Sequence, residues 1–265
     1  MAHPVSRVVT VAARLLPSTV VRSRAARAAV AMLGSRERLV EVAAGPLRGT
    51  RLSLRPSTER AFWAGTYEEQ VQRVLIELGR GRLAFDVGSY IGFLALVLAR
   101  THDRVVAVEP LPANVERIRR NVAANGAAVE IVHAGVADAA GKLELELGPT
   151  AAMGKLRGAP GPTWLAEAAG GTVEVPAVTL DGLAARFGFP DVIKLDVEGA
   201  AGMALRGAAR TLRARPVVLC ELHSASERAD VEAALSAASY AVSELGTDWI
   251  VARPRHASDA ADDVP

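Results

Sequence analysis

Short apolar runs alternate with helical stretches through the middle of the chain. Leu83-Ala84-Phe85-Asp86-Val87 ends in an acid and a glycine loop, and Ile91 to Arg100 then has helical character. Val105-Val106-Ala107-Val108-Glu109 repeats the theme, followed by a helix over Ala113 to Ala124 that Asn125-Gly126 closes. Val129-Glu130-Ile131-Val132, Val192-Ile193-Lys194-Leu195-Asp196 and Pro216-Val217-Val218-Leu219-Cys220-Glu221 supply three more strands, with a helix over Met203 to Arg213 before the last. Strands that are apolar on both faces and separated by helices pair in parallel. Right-handed crossovers then predict an α/β fold, a Rossmann-like doubly wound sheet.

The flanks follow other periods. Residues 1–40 read as two amphipathic helical pieces broken near Pro17, the second closed by Leu33-Gly34-Ser35. Residues 38–55 alternate around Gly45 and Gly49, which predicts a short β-hairpin. Val71, Val74, Leu75 and Leu78 share one face of a helix over Tyr67 to Leu78. Between the third and fourth parallel strands lies a β insertion, residues 141–178. There Lys142 to Leu147 and Thr172 to Val175 alternate strictly, as half-exposed antiparallel strands do. The Gly/Pro-rich stretch Gly148 to Pro162 reads as a loop, and Val242–Leu245 with Trp249–Val251 as a closing hairpin. The expected organisation is a helical and hairpin extension over 1–64, a cofactor-binding domain over 65–253 and a tail over 254–265.

Composition changes this picture little. Half of the 265 residues are hydrophobic, enough for a sizeable core, and the net charge is only +2. No basic stripe calls for a nucleic-acid partner. The one cationic cluster is N-terminal: Arg7, Arg14, Arg22, Arg24, Arg27, Arg36 and Arg38 face a single acid, Glu37. It allows weak contact with a membrane surface, although an extension packed on the core is the simpler reading. No apolar run is long enough to span a bilayer. Cys220 is the only cysteine, which excludes an internal disulfide or a cysteine-based zinc site and fits a cytoplasmic location. No ligand spacing argues for a metal, and the oligomeric state is left open.

The chemistry is written at the strand ends. Ligands of open α/β sheets bind outside the carboxyl ends of the strands. Asp86, Glu109 and Asp196 end three strands, and the fifth ends in Glu221-Leu222-His223. The first loop has an acid before Gly88 and then Ser89, Tyr90, Ile91 and Gly92. A dinucleotide loop favours G-x-G-x-x-G, where backbone N–H groups meet a phosphate. An acid at that point repels phosphate and suits a cationic, phosphate-free ligand such as S-adenosylmethionine. Gly88 would let the backbone approach the cofactor, and Gly92 would let the helix pack closely. Glu109, about 20 residues further on, stands where an acid accepts hydrogen bonds from ribose hydroxyls.

These residues resemble a known family. Phe85 to Gly92, Val108-Glu109-Pro110 with Asn114 and Asn121, Thr179-Leu180-Asp181, Ile193 to Ala200, and Leu205-Arg206-Gly207-Ala208 are similar to the blocks of the FkbM methyltransferases. Gly65-Thr66-Tyr67-Glu68 resembles the segment before that family's first strand. Ser89 and Tyr90, where Ala-Asn is usual, and Ala201, where a second glutamate is usual, depart from the pattern. The resemblance implies S-adenosylmethionine, a seven-stranded sheet with one reversed strand, and O-methylation of a hydroxyl on a sugar, glycan or secondary metabolite.

Hydroxyl methylation needs an aligned acceptor and a nearby base. His223 is the candidate base, with Asp196 or Glu198 orienting it or contacting the substrate directly; a surface loop histidine is the bland alternative. The expected cofactor residues are Glu68, Asp86, Gly88, Ser89, Tyr90, Gly92, Glu109, Pro110, Asp138 and Asp196. Asp138 would meet the adenine amino group, or else merely form a turn. Lys194, buried on a strand, calls for a structural ion pair. Three alternatives stand beside this reading. One is a nicotinamide oxidoreductase, against which the missing G-x-G-x-x-G argues. Another is a non-catalytic binding module, suggested by Tyr90 and Ala201. The third is an N- or RNA-directed methyltransferase, which would carry an Asn-Pro-Pro-Tyr type of loop where Asp196-Val197-Glu198-Gly199 stands.

Overall fold

A computed structural model describes residues 36–148, 154–158 and 171–255. The helical pieces expected before Ser35, most of the Gly148–Pro162 loop and the tail from His256 lie outside the described residues. The hairpin forms as expected: β1 (Arg38–Glu41) pairs antiparallel with β2 (Arg51–Leu54). A short helix α1 (Arg60–Ala64) follows, which the sequence reading did not include, and then α2 (Glu69–Glu77).

The parallel core alternates as the apolar runs predict. It runs β3 (Gly81–Val87), α3 (Phe93–Leu98), β4 (His102–Glu109), α4 (Pro112–Asn125) and β5 (Val129–His133). After the insertion come α5 (Leu180–Phe187), β10 (Val192–Leu195), α6 (Ala201–Arg206), α7 (Ala209–Arg213), β11 (Val217–Glu221) and α8 (Ala225–Ala237). The chain ends in β12 (Tyr240–Leu245) and β13 (Trp249–Pro254). The seven-stranded sheet has the order β12-β13-β11-β10-β3-β4-β5. β13 runs antiparallel to both neighbours and is the one reversed strand. The chain order reverses beside β3, so β3 and its neighbours flank the crevice where ligands of such sheets bind.

Strand alternation sorts the core into two layers. Ala84, Val105, Ala107, Val192 and Leu219 face one layer with α2 and α3, while Phe85, Val106, Ile193, Leu195 and Val218 face the other with α5, α6 and α8. The hairpin joins the first layer through Val40, Leu52 and Leu54. A buried ion pair ties it down: Arg117 of α4 donates to both carboxylate oxygens of Glu59, at 2.8 and 2.6 Å, and to the Ser53 carbonyl.

The insertion builds its own four-stranded sheet. β7 (Gly141–Leu147) and β9 (Thr172–Val178) pair antiparallel, as the alternation predicts. β6 (Gly135–Val136) and β8 (Gly154–Leu156) flank them and were too short to read from the sequence.

One expected helix is two. The segment over Met203 to Arg213 breaks after Arg206 because Asp181 enters the gap. Its Oδ1 accepts from the Thr211 N–H and hydroxyl, both at 2.7 Å, and its carboxylate accepts from the Arg210 N–H at 3.0 Å. The Asp181 N–H in turn donates to the Gly207 carbonyl. A Cβ on Gly207 would lie 2.4 Å from the Ala137 carbonyl oxygen, so only glycine lets this turn pass the loop after β6. Thr-Leu-Asp and Leu-Arg-Gly-Ala are therefore two halves of one structural clasp. Burial alone would raise the Asp181 pKa, but the hydrogen bonds from Arg210 and Thr211 outweigh it and hold the carboxyl below its usual range.

Asp181→Ala is expected to cost about 1–2 kcal/mol of stability, the usual loss for a capping aspartate. A group with a depressed folded pKa stabilises above its unfolded value, about 3.9, and loses that contribution as pH falls through the folded value. Urea unfolding of both proteins should therefore show the gap at pH 7 and its closure toward pH 3.

Candidate active site

The loop after β3 is shaped by contacts beneath it. Gly88 has a φ of +76°, and a Cβ there would lie 1.6 Å from the Asp196 carbonyl oxygen. The Gly88 and Ser89 N–H groups both donate to the Val108 carbonyl, at 3.0 and 3.1 Å. Tyr90, at a left-handed φ of +52°, donates its N–H to Glu109 Oε2 at 2.9 Å. Gly92 packs against Ile118, as its expected role in close helix packing requires.

Asp86 lies under this loop, fully buried. Its Oδ2 accepts from the Ser89 hydroxyl at 2.6 Å. Its Oδ1 is 3.2 Å from Lys194 Nζ, which is also 3.4 Å from Asp196 and donates to the Gly88 carbonyl at 2.7 Å. The expected lysine ion pair is thus present, with two acids. Burial works to discharge Lys194, but Asp86 and Asp196 overcome it and keep the ammonium charged.

Glu109 turns in at the end of β4, where its Oε1 accepts from the Leu111 N–H at 3.0 Å and from Asn114 at 3.1 Å. Burial exceeds the effect of these donors and pushes its carboxyl up to about 7.

On the other side of β3, His223 follows β11. Its Nε2 is 3.6 Å from Asp196 and its Nδ1 is 3.8 Å from Glu198. Its backbone N–H donates to Glu227 Oε2, whose partner oxygen accepts from the Ala201 N–H. A carboxylate from α8 thus reaches the position where Ala201 departs from the family pattern. Burial would lower the His223 pKa, but the contact with Asp196 and the charges of Glu198 and Glu221 push it up to about 9. Burial and then Asp196 raise Glu221, whereas Lys194 wins over burial at Asp196 and lowers it. Asp196, Glu221 and His223 offer three ligand atoms within 4.8 Å of one another.

A cavity of about 320 Å³ crosses these strand ends. Asp196 and Glu198 line it beside β10, Gly88 and Tyr90 beside β3, Glu109 and Pro110 beside β4. Beyond them Leu111, Val136, Leu143 and Leu145 form an apolar slot under the insertion sheet, with Lys155 and Leu156 of β8. Asp86, Ser89 and Gly92 stand behind the wall and shape it. Glu68 and His223 are outside the lining, each close to Asp196. Asp138 is outside it too; its half-exposed carboxylate points to Arg206 at 3.8 Å. The lining fits S-adenosylmethionine: acids where a cationic sulfonium and ammonium would lie, a carboxylate for the ribose, and an apolar slot for the adenine.

Sequence reasoning missed the slot and the Phe62 ring. Phe62 and Tyr67 stack with centroids 4.2 Å apart and line the cavity from the α1–α2 segment. From the sequence, Tyr67 with Glu68 reads either as closing over the cofactor or as ordinary packing at a helix start. The alternation in β7 carried the signal for the slot, since its inward face had to cover something.

Comparison with known proteins agrees with this geometry. Residues 86–242 match the methyltransferase FkbM domain. The hexuronic acid methyltransferase AglP of Haloferax volcanii is 28% identical over 186 residues, covering 68% of this chain and 74% of that protein. An FkbM methyltransferase structure from Methylobacillus flagellatus KT aligns at 18% identity over 65% of this chain and 43% of its own, with a TM-score of 0.46. The chain thus spans less than half of that relative's length. A T. thermophilus 16S rRNA N2 G1207 methyltransferase aligns at 16% identity over 83% of this chain and 50% of its own, also at 0.46. With more than half of its length inside the domain match, the chain belongs to the FkbM methyltransferases, and its cofactor is S-adenosylmethionine.

Proposed function

We propose that the protein O-methylates a hydroxyl group on a small polar acceptor, a sugar, glycan or secondary metabolite. The observation that carries this reading is the pair Asp196 and Glu198 in the cavity lining at the β10 end, with His223 directly behind them. Carboxylates and an imidazole are the groups that bind hydroxyls and take up their proton. The name of the AglP relative, a hexuronic acid methyltransferase, supports a sugar acceptor.

S-adenosylmethionine supplies a methyl group on a cationic sulfonium. Each side chain then has a defined task. Glu109 accepts from the ribose hydroxyls. Pro110 and Leu111 hold the adenine against Val136 and Leu143. Gly88, Tyr90 and Asp196 border the methionine end, and Glu68 with Tyr67 closes it. Asp86, Ser89 and Gly92 act through the shape of the loop, and Asp138 has no task in the cavity. Asp196 and Glu198 orient the acceptor hydroxyl, and His223 receives its proton. With a pKa near 9 the imidazole rests protonated at neutral pH. A bound sulfonium nearby lowers its affinity for that proton by like-charge repulsion.

Two outcomes test these assignments. Only ionised Glu109 accepts from two hydroxyls, and its pKa is raised to about 7, so affinity for S-adenosylhomocysteine should rise as pH goes from 6 to 8. Calorimetry should show this rise in the wild type and a flat profile in Glu109→Gln; an unchanged slope in the variant would remove Glu109 from the ribose site. His223→Ala should lower kcat about 10²–10⁴-fold, the usual contribution of a general base, and leave S-adenosylhomocysteine affinity nearly intact. In chelator-treated wild type, kcat should climb with pH and level off below about 9, because the bound sulfonium lowers the imidazole from the value of about 9 it has in the free protein. A panel of hydroxylated acceptors, uronic acids included, with mass spectrometry of the product locates the methyl group; transfer to nitrogen would overturn the reading.

A further inference from the structure

We infer that Asp196, Glu221 and His223 form a binding site for one divalent cation at the edge of the cofactor cavity. The three residues belong to two adjacent strand ends. Leu195 and Cys220 are paired across β10 and β11, so Asp196 and Glu221 emerge side by side. His223 lies two positions further, and the ligand atoms of all three are within 4.8 Å of one another. Two carboxylates and an imidazole form a mixed oxygen and nitrogen donor set suited to a first-row divalent ion, whose charge they would balance.

The histidine carries the second observation. Its Nε2 is buried and has no hydrogen-bond partner, and 3.6 Å to Asp196 is too long for one. Its Nδ1 faces Glu198 instead. Ligand histidines commonly leave one nitrogen open to the ion while the other is turned toward a carboxylate; here Nδ1 and Glu198 are 3.8 Å apart, near enough for charge attraction but not for a hydrogen bond. The loop is also held rigid, because Glu227 binds both the His223 and the Ala201 N–H groups.

Charge points the same way. Among the described residues, the ion pairs of Asp86, Asp196 and Glu198 involve only Lys194 and His223. Lys194 is fully engaged with Asp86, Asp196 and the Gly88 carbonyl. Glu221 is therefore left beside Asp196 without a cation of its own. Three protein ligands leave open positions on the ion. Asp196 also lines the cavity, so acceptor hydroxyls entering there would complete the shell and become more acidic. In that state His223 holds the ion and the ion activates the hydroxyl. This role rests on the hydroxyl-methylation reading, whereas occupancy of the site does not.

The test is Mn²⁺ binding to the full chain, followed by electron paramagnetic resonance of the free ion. One Mn²⁺ per chain is expected in the wild type, with affinity at least tenfold weaker in Glu221→Gln and in His223→Asn. Mn²⁺ should also raise the Tm of the wild type and not of the variants. S-adenosylhomocysteine calorimetry runs in parallel, since Glu221 and His223 lie outside the cavity wall. A wild type that binds S-adenosylhomocysteine but takes up no Mn²⁺ at millimolar concentration overturns the metal site and leaves the methyltransferase reading intact. Variants that bind both ligands like the wild type also overturn it. Should a variant melt early, the other variant and the wild-type titration decide.

Discussion

A buried ammonium group has to be matched by charge, and in this protein that requirement organises the site. Lys194 sits on β10 with almost no exposure, and removing such an ion from water costs several kcal/mol unless close partners offset it. The partners are Asp86, across the sheet on β3, Asp196, two residues along the same strand, and the Gly88 carbonyl. Lys194 and Asp86 are register partners, so sliding β3 against β10 by one residue would turn one of them into the apolar layer. The loop after Val87 is drawn toward β10 by the same lysine. That explains why position 88 tolerates no Cβ: the Asp196 carbonyl already occupies the space.

The departures from the family pattern look different once their neighbours are known. Tyr90 donates its hydroxyl to Glu59 and lies under the guanidinium of Arg117, 5.6 Å from its centroid. Glu59 and Arg117 are themselves a buried pair that pins the hairpin to α4. The tyrosine therefore belongs to a set that links the N-terminal hairpin to the cofactor loop, and its backbone N–H still meets Glu109. At Ala201 the Glu227 carboxylate takes the backbone N–H. Both residues had suggested a non-catalytic module; in the fold each has a defined partner, Glu59 and Glu109 for Tyr90 and Glu227 for Ala201.

Much of the fold was legible because its strands obey simple periods. β3, β4, β10 and β11 bury apolar residues on both faces, and β7 alternates, so the parallel core and the antiparallel insertion could be told apart. Besides the short α1, two helices were not legible from periodicity. α8 buries only Val231 and Leu235 among its large apolar side chains, too few to mark a stripe. Its signal was local instead: Ser224 caps the helix by accepting from the Glu227 N–H, the S-x-x-E spacing of a capping box. α5 has the same kind of start, with Thr179 accepting from the Gly182 N–H. In the site, Asp86, Glu109 and Asp196 were found because each ends a strand. Glu221 ends a strand too, but His223 drew the attention. Asp138 was placed by position along the chain, and its exposure follows from the insertion sheet, which turns away immediately after β6.

The same alternation that built the layers also decides the ligand's charge. Lys194 and Asp86 face the layer of Ala84 and Leu219, opposite to Leu195 and Phe85, and Asp196 and Glu221 continue that face beyond the strands. Acids therefore collect on one side of one crevice, and among the described residues Lys194 is the buried cation paired with them. A phosphate-bearing dinucleotide would add negative charge to a face that is already short of positive charge. A sulfonium with its ammonium group does the reverse, and a divalent ion at Asp196, Glu221 and His223 would continue the compensation toward β11. On the proposed reading, cofactor selection would follow from where the side-chain period places the strand-end carboxylates, with the glycine loop supplying the room.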